Sequence, residues 1–493
     1  MSKPIPPLDV TWFLTESSAS PKHVGCVLLF EVPPGRPGIV GEIVAAYRAH
    51  APAPPFNYVP RLVGAGGPVF VEAAEIDLTY HVQHLVLPTG ATYQSFLALV
   101  ADLHEPVLDR DRPLFRMWAI EGLPGNRFAL YLKVHHGIID GASGAHRIFG
   151  SLLPTADRRI MPPAFAMKMP PRKPRLPKGL LEKLGSLRAT TAKQGLAVRD
   201  VYLGAIRQGL GALLGSGKGG SVPFEAKRTP LNEPLSVARS FATMSLPLAE
   251  MRSVGKAYGA TLNDVAATII DEGVHRYLRQ SGHASPDRLV GMCPVSLREE
   301  GDTDPSTKAS AMFVRMGAPE TPVAERIGEV MASIARGKVE LRAMSKEAAM
   351  LYAIAALGLA ELIDATRLKH VARPLANFVL SNVPGATETL YLAGAPLIGS
   401  FPISALGMGV GLNVTLTSYA DTMGFGFVGN GKALKDLPAL ARHTHDAYEE
   451  LRAAALTPKK GAARARKARA AAAPAPASRG KAGRATPGRV RHA

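Results

Sequence analysis

Two histidines, an aspartate and a glycine at fixed spacing are the residues best suited to chemistry, in the order His135-His136-x-x-x-Asp140-Gly141. An imidazole titrates near neutral pH, so one ring nitrogen can take a proton from a hydroxyl group and later return it to a leaving group. Asp140 can hold the turn or the ring through a hydrogen bond or through an ion pair with an arginine. The motif therefore predicts general-base catalysis on a hydroxyl group.

The segment before the motif predicts a strand that holds these side chains in place. Arg127–Val134 alternates between two faces, with Phe128, Leu130, Leu132 and Val134 on one and Ala129, Tyr131 and Lys133 on the other. Helical spacing resumes over Ala142–Leu153. If the alternation continues, His136 shares the face of Val134 and His135 points the other way. A histidine at the end of a buried strand, on a glycine-flanked turn, is held rigidly.

Two other interpretations of the motif stay open at this point. The histidines could form a structural pair that stabilises a turn. They could also bind a metal ion, but adjacent residues of a strand point to opposite faces, and no third ligand occurs at a suitable spacing. We therefore expect no metal in the site.

Length and composition indicate two folded units. The chain has 493 residues, of which 46% are hydrophobic and 20% charged, as in ordinary folded proteins. Its two cysteines, Cys26 and Cys293, provide neither a disulfide framework nor a cysteine-based zinc site. We predict an α/β (α+β) protein with a first unit over 1–156, a linker over 157–230, a second unit over 231–456 and a disordered tail over 457–493.

Periodicity predicts the elements of the first unit, and composition predicts the linker. We expect a strand over Gly25–Val32 and helices over Ile39–His50 and Tyr93–His104. Met161–Lys178 is rich in Pro, Lys and Arg, which is typical of a solvated linker, and 180–214 could hold one or two helices. The Gly-Lys pair that follows is no phosphate-binding loop, because Ala212 replaces the first glycine and Gly219 replaces Ser or Thr.

The second unit shows the same mixture of helices and strands. Thr261 or Asn263 could cap a helix that runs to Gln280, and Glu347–Leu368 is typical of an apolar helix. The predicted strands are Leu289–Val295, Ala376–Leu380 leading into Ser381-Asn382, and Val410–Thr417 paired as a hairpin with Met423–Val428.

The positive charge is concentrated at the end of the chain. The net charge is +18, and residues 457–493 hold eleven Lys or Arg and no acidic residue, which leaves +7 for the preceding 456 residues. The longest apolar run, Ala348–Ala360, is too short to span a bilayer, and no apolar signal segment follows Met1–Pro7. We expect a cytoplasmic protein with only peripheral membrane contact. The tail could bind anionic surfaces or nucleic acid, or could simply be a solvated segment.

The histidine motif resembles the active-site signature of the CoA-dependent acyltransferase superfamily, which includes chloramphenicol acetyltransferase-like enzymes and peptide-synthetase condensation domains. Further segments, in order along the chain, resemble the bacterial wax ester synthase/diacylglycerol acyltransferase family. They are Leu8–Gly25, Leu108–Leu114, Leu231-Asn232 with Arg239, Asn263-Asp264-Val265, Pro294–Arg298, Asn382–Gly385 and Ser418-Tyr419.

This resemblance implies two chloramphenicol acetyltransferase-like sandwich domains with the active site in a channel between them. It implies transfer of a long-chain acyl group from acyl-CoA, as co-substrate and with no resident cofactor, to diacylglycerol or a fatty alcohol at a membrane or lipid-droplet surface. The implied roles are a general base for His136, a supporting place for His135, an orienting role for Asp140 and a turn at Gly141. Asn263, Ser381 and Asn382 are candidates for binding substrate or the oxyanion, and Asp264 and Arg298 are structural members of the motifs.

Two positions depart from the family pattern, and two other functions stay open. Phe115 stands where the family has Trp, and Ser306-Thr307 stands where it has Gly-Asn. Both changes concern substrate choice rather than the His-Asp motif. The chain could instead acylate another acceptor or use a carrier-protein donor, and a non-catalytic lipid-droplet or nucleic-acid-associated protein is the alternative of another class.

Overall fold

The computed structural model of the chain describes residues 2–63, 67–168, 223–284, 287–298, 309–364, 366 and 371–456. Within these ranges the chain is a mixed α/β structure with two six-stranded sheets, each covered by helices. The helices predicted within 180–214, the Gly-Lys segment, Ser306-Thr307 and the tail from 457 onward lie outside the described residues.

The first 156 residues supply four strands of one large sheet, a small three-stranded sheet and the helices that cover them. The elements are β1 Ser2–Pro4, α1 Pro7–Leu14, β2 His23–Glu31, α2 Ile39–Arg48, β3 Tyr58–Arg61, β4 Val69–Glu72, α3 Leu78–His81, β5 Val82–Val86, α4 Tyr93–His104, β6 Phe115–Leu123, β7 Arg127–His135 and α5 Gly141–Gly150. The predicted strands and helices of this half are confirmed, with ends that shift by at most a few residues.

The second half begins with a single 3-10 turn at Pro230–Asn232. Its elements are β8 Arg239–Pro247, α6 Leu248–Tyr258, α7 Leu262–Gln280, β9 Val290–Ser296, β10 Ala309–Arg315, α8 Val323–Arg342, α9 Lys346–Asp364, β11 Phe378–Val383, β12 Tyr391–Leu392, β13 Ala395–Ile403, β14 Leu412–Tyr419, β15 Thr422–Asn430 and α10 Leu437–Leu456. β14 and β15 pair antiparallel, which confirms the predicted hairpin.

The first sheet has the strand order β12-β13-β2-β7-β6-β5, with β7 near its centre. β7 is buried on both faces, because one core lies under α2 and another under α4. The predicted alternation is confirmed over the strand: Phe128, Leu130, Leu132 and Val134 pack in the first core, and Ala129 and Tyr131 in the other. A strand covered on both faces is a rigid support for the motif at its end.

The second sheet has the order β10-β9-β11-β14-β15-β8, and the buried helix α7 packs against it. Thr261 caps α7: its hydroxyl accepts a hydrogen bond from the backbone N–H of Asp264, and the Asp264 carboxylate accepts one from the backbone N–H of Thr261. This reciprocal pair is a capping box. Asp264 thus takes part in the cap of α7, and Thr261 rather than Asn263 is the cap residue.

Two strands from the second half complete the first sheet. β13 pairs antiparallel with β2 from Leu397 opposite Phe30 to Ile403 opposite Gly25, and β12 extends β13 at the sheet edge. β13 also crosses β15 at very close range, where a Cβ at Gly424 would lie 2.3 Å from the carbonyl oxygen of Ser400. The two halves are thus joined by backbone hydrogen bonds, which the sequence does not predict.

The prediction that Met161–Lys178 is solvated is wrong for the part that the structure describes. Phe165 is fully buried, and Ala164 is 3% exposed, in the core under α2. The backbone N–H of Ala53 donates to the carbonyl of Phe165 at 2.9 Å. Composition failed here because two apolar residues among the prolines suffice to dock the segment.

Gly426→Ala should destabilise the protein strongly, because a Cβ at this position would lie 1.8 Å from the carbonyl oxygen of Pro402 on β13. The crossing strands would have to separate, at a cost of about 3 kcal/mol in the free energy of unfolding. Urea denaturation followed by circular dichroism measures it. Gly41→Ala in α2 is the matched control, since nothing lies within 4 Å of that Cβ, and it should stabilise slightly. Equal stabilities of the two variants would contradict the close crossing.

Candidate active site between the two halves

Backbone hydrogen bonds fix the two motif histidines at the end of β7. The N–H of His135 donates to the carbonyl of Leu114 at 3.0 Å, and the N–H of His136 donates to the carbonyl of Lys22 at 2.7 Å. β7 ends at His135. The bond to Lys22 continues the register that pairs His23 with His135, so it holds the backbone of His136 in place one residue past the end of the strand.

Helix α1 places two consecutive aromatic rings on the two consecutive imidazoles. Phe13 stacks on His135 with ring centroids 4.3 Å apart and planes at 7°, and Trp12 stacks on His136 at 4.2 Å and 25°. His135 is fully buried, whereas His136 is only partly buried. The two histidines of the motif therefore have different environments.

His135 is held by a hydrogen bond at Nδ1 and lies near a carboxylate at Nε2. Its Nδ1 accepts a hydrogen bond from the N–H of Gly137 at 3.0 Å, and its Nε2 lies 3.4 Å from the Glu16 carboxylate. Burial lowers the pKa of His135 although Glu16 opposes the shift. Gly137 has no room for a side chain, because a Cβ there would lie 2.6 Å from the ring of Phe13. His135 is thus an internal support of the turn.

Glu16 connects this turn to neighbouring segments. Burial would raise its pKa, but hydrogen bonds and charge from His135, with further bonds from Lys22 and Arg110, lower the pKa to about 2. Arg110 donates to Glu16 from Nη2 at 2.9 Å and from Nε at 3.2 Å. Glu16 is therefore ionised at neutral pH.

Asp140 has two structural partners, one from each half. One carboxylate oxygen accepts the N–H of Ser143 at 2.9 Å and caps α5. The other accepts Nε of Arg298 at 3.0 Å and also Nη2 of the same guanidinium. The side chains of Arg298 and Asp140 are 8% and 13% exposed. This buried ion pair joins the histidine turn to the segment that follows β9.

The electrostatics of His136 favour the neutral imidazole. Burial lowers its pKa to about 4, although the negative charge of Asp140 raises it, while His135 and Lys22 lower it further. The Nδ1 atom is buried and has no hydrogen-bond partner among the described residues. At neutral pH the ring is therefore unprotonated and able to accept a proton.

The second half brings its candidate residues to the same place. β11 runs parallel to β9, so their carboxyl ends share one edge of the sheet. β11 extends further than predicted and contains both Ser381 and Asn382. The side-chain amide of Asn382 donates to Oδ1 of Asn263 in the first turn of α7 at 2.7 Å.

A direct contact joins this edge to the motif. A Cβ on Gly141 would lie 3.4 Å from the Val383 side chain at the end of β11. The end of β7 and the ends of β9 and β11 thus meet between the halves. Among the described residues, no three His, Cys, Asp or Glu side chains are grouped so that they could hold a metal ion.

Sequence reasoning missed four residues that organise the site: Trp12, Glu16, Lys22 and Arg110. Lys22 is 1% exposed, and its ammonium donates to Glu361 at 2.6 Å and to the Ser20 hydroxyl at 2.8 Å. All four lie in the segments Leu8–Gly25 and Leu108–Leu114 that carry the family resemblance. That resemblance was the available signal, but it did not assign a role to each residue.

The fold consists of two sheet-and-helix halves, and the histidine turn of the first half meets the ends of β9 and β11 of the second. A family model for the wax ester synthase/diacylglycerol acyltransferase catalytic domain matches residues 5–266, and the model for the C-terminal domain of that family matches residues 307–452. A probable diacylglycerol O-acyltransferase of Mycobacterium tuberculosis is 33% identical over 465 residues, covering 92% of this chain and 97% of that protein. A putative diacylglycerol O-acyltransferase of Mycobacterium bovis is 34% identical over 461 residues, 92% of this chain and all of that protein.

Solved structures agree with these matches. The wax ester synthase/diacylglycerol acyltransferase of Marinobacter aquaeolei VT8 superposes with a TM-score of 0.73 and 28% identity, over 92% of this chain and 99% of that one. The first condensation domain of the calcium-dependent antibiotic synthetase shares the fold, with a TM-score of 0.53 and 16% identity over 92% of this chain and 97% of that one. The chain belongs to the wax ester synthase/diacylglycerol acyltransferase family. It is an acyl-CoA-dependent acyltransferase.

Asp140→Asn should lower stability rather than abolish chemistry. An asparagine can still cap α5, but the Arg298 guanidinium would lose its carboxylate in a buried position, which should cost about 3 kcal/mol. Urea denaturation measures the change. Asp157→Asn is the control, because its ion pair with Arg159 is exposed and should contribute little. A variant with unchanged stability and greatly reduced turnover would place Asp140 in the chemistry instead.

Proposed function

We propose that His136 is the general base that activates the acceptor hydroxyl for attack on the thioester of acyl-CoA. The observation that carries this proposal is the different environment of the two histidines. His135 is enclosed and bonded through Nδ1. His136 is neutral, partly exposed, and located where the ends of β7, β9 and β11 meet.

The reaction then needs one nitrogen of His136. Nδ1 is buried, so Nε2 is the atom that takes the hydroxyl proton. The hydroxyl oxygen forms a bond to the thioester carbon, and the carbon–sulfur bond of the tetrahedral intermediate breaks. The proton on Nε2 passes to the departing CoA thiolate. A base with a low pKa gives an imidazolium that returns its proton readily.

The tetrahedral intermediate carries a negative oxygen that needs hydrogen-bond donors in fixed positions. We assign this role to the side chains at the end of β11 and the start of α7, namely Ser381, Asn382 and Asn263. An amide nitrogen carries two hydrogens, and the Asn382–Asn263 bond uses one of those on Asn382 and fixes the direction of the other. Gly141 contacts the same edge and brings the histidine turn next to these donors.

Diacylglycerol is the acceptor that we favour, with a long-chain alcohol second. Both Mycobacterium relatives bear the name diacylglycerol O-acyltransferase. The alternatives are a carrier-protein donor, as in condensation domains, and a non-catalytic binding protein. The likeness to a condensation domain concerns the fold only, and a binding protein would not need the intact pair of His136 and Asp140 in the motif.

His136→Ala should reduce turnover by at least about 100-fold, the lower range for loss of a general base. The assay follows CoA release from palmitoyl-CoA by the full chain, with dioleoylglycerol and hexadecanol offered separately. His135→Ala is the companion variant, and it should reduce stability more than turnover per folded molecule. Retained turnover in a folded His136→Ala protein would refute the base assignment. The ratio of the two wild-type rates identifies the preferred acceptor.

We also propose that the enzyme works at the inner face of the membrane or on lipid inclusions, because both substrates are poorly soluble. No helix among the described residues has the length and apolar character needed to cross a bilayer. The basic segments 168–178 and 457–493 can attract anionic head groups, at about 1 kcal/mol per Lys or Arg near the surface.

Deletion of residues 457–493 should weaken flotation with vesicles that contain phosphatidylserine and leave flotation with neutral vesicles unchanged. Turnover in detergent micelles should persist, because the tail lies outside both family domains. Equal flotation of the full and shortened chains would rule out a membrane role for the tail. Competition by a short RNA would point to nucleic acid instead.

A further inference from the structure

We infer that Trp12 is a positioning residue for the catalytic base: its indole fixes the plane of the His136 ring and shields one face of that ring from water. The inference rests on the proposed role of His136. It starts from the stack between the two rings, whose centroids lie 4.2 Å apart with planes at 25°.

The stack is part of a repeated arrangement that allows the two histidines to be compared. Trp12 and Phe13 are neighbours on α1, and each covers one of the neighbouring residues His136 and His135. The Phe13 ring belongs to the buried core under α2 and is 2% exposed. Trp12 is not part of that core, and it is only partly buried. Packing in the core therefore explains why an aromatic residue stands at position 13, but it does not explain the tryptophan at position 12.

One unsatisfied polar atom distinguishes Trp12 from Phe13. The indole Nε1 of Trp12 is buried and has no hydrogen-bond partner among the described residues, whereas the Phe13 ring carries no polar atom. The two imidazoles do not differ in this respect, since His136 Nδ1 and His135 Nε2 are both buried without a hydrogen-bond partner there. A buried polar group without a partner is unfavourable for folding, and each such group in a native protein calls for an explanation. An aliphatic side chain at position 12 would cover the histidine without this penalty. The presence of an indole is thus better explained by the ring that it contacts.

The effect of the stack on the base has a definite sign. An aromatic face attracts a cation, which would raise the pKa of His136, whereas exclusion of water lowers it. Burial is the largest cause of the lowered pKa of His136, so we expect the water that the indole excludes to outweigh its attraction for the cation. The charged and titratable groups that act on this ring are Asp140, itself paired with Arg298, together with His135 and Lys22. None of them changes in a Trp12 variant.

Fluorescence can report this contact directly, because a protonated imidazole quenches an adjacent indole. The chain contains two tryptophans, and Trp118→Phe leaves Trp12 as the only one. Trp118 hydrogen-bonds Gln83 on the outer strands of the first sheet, away from the motif. In this background the emission should fall on acidification with a midpoint near pH 4. His136→Ala should abolish this step, and circular dichroism separates it from acid unfolding.

The kinetic test compares substitutions at Trp12 with the matched change at Phe13. In wild type, kcat/KM should be constant from pH 8 to about pH 5 and should fall below that, as His136 becomes protonated. Trp12→Phe should leave this fall of kcat/KM at low pH, the acid limb of the profile, at the same pH. Trp12→Leu and Trp12→Ala should move it to higher pH, by a unit or more for Ala, and should lower kcat at neutral pH about tenfold with little change in KM. Phe13→Ala should lower stability without moving the limb.

Two results would overturn the inference. One is an acid limb that stays in place in folded Trp12→Leu or Trp12→Ala protein. The other is a Trp12 emission step that survives in His136→Ala. Failure of the proposed function looks different, because it would appear as turnover that persists in His136→Ala while the fluorescence step still depends on His136.

Discussion

The pairing of β13 with β2 is the interaction on which the rest of the molecule depends. A strand that belongs to the second half by sequence is bonded along its length into the first sheet. Its position fixes the distance and angle between the two sheets, since β13 also packs across β14 and β15. With the sheets fixed, the turn after β7 lies against the ends of β9 and β11, and Asp140 of that turn reaches Arg298 of the other half. The site is therefore a property of the joined halves.

Buried charged side chains also bridge the two halves at several points. Lys22 pairs with Glu361 of α9, Arg298 pairs with Asp140, and the Arg239 guanidinium donates to the carbonyl of Ala19 at 2.6 Å. Each of these contacts links a segment before residue 156 to one after residue 231. Buried ion pairs contribute little net stability, because the charges must first lose water. A placement of the halves that separates the partners would leave a buried charge unpaired, which is strongly destabilising. These contacts select one relative placement of the halves, and with it the distance between the histidine turn and the ends of β9 and β11.

Local features of the fold were predictable because local patterns determine them. The alternation before His135 predicted β7, and the apolar stripe of Ile39, Ile43 and Tyr47 predicted α2. Each pattern indicates which face of the element is buried. The partner of β13 was not predictable, because hydrophobic alternation does not say which strand lies alongside. The motif gave His136 and Asp140, and the resemblance located Arg298 and Asn382. The roles of Trp12 and Lys22 could be assigned only from the structure. The stacking of a ring or the burial of an ammonium group produces no periodic pattern in the sequence.

The shared sheet also bears on how the protein is made. β2 ends at Glu31 and β13 begins at Ala395, so about 360 residues leave the ribosome between the two strands. At ~5–20 residues per second this takes roughly 20 to 70 seconds. During that time the nascent first half presents an unpaired, apolar strand edge, which is a template for association with other chains. The N-terminal half should therefore be the part of this enzyme that most needs chaperone protection during synthesis.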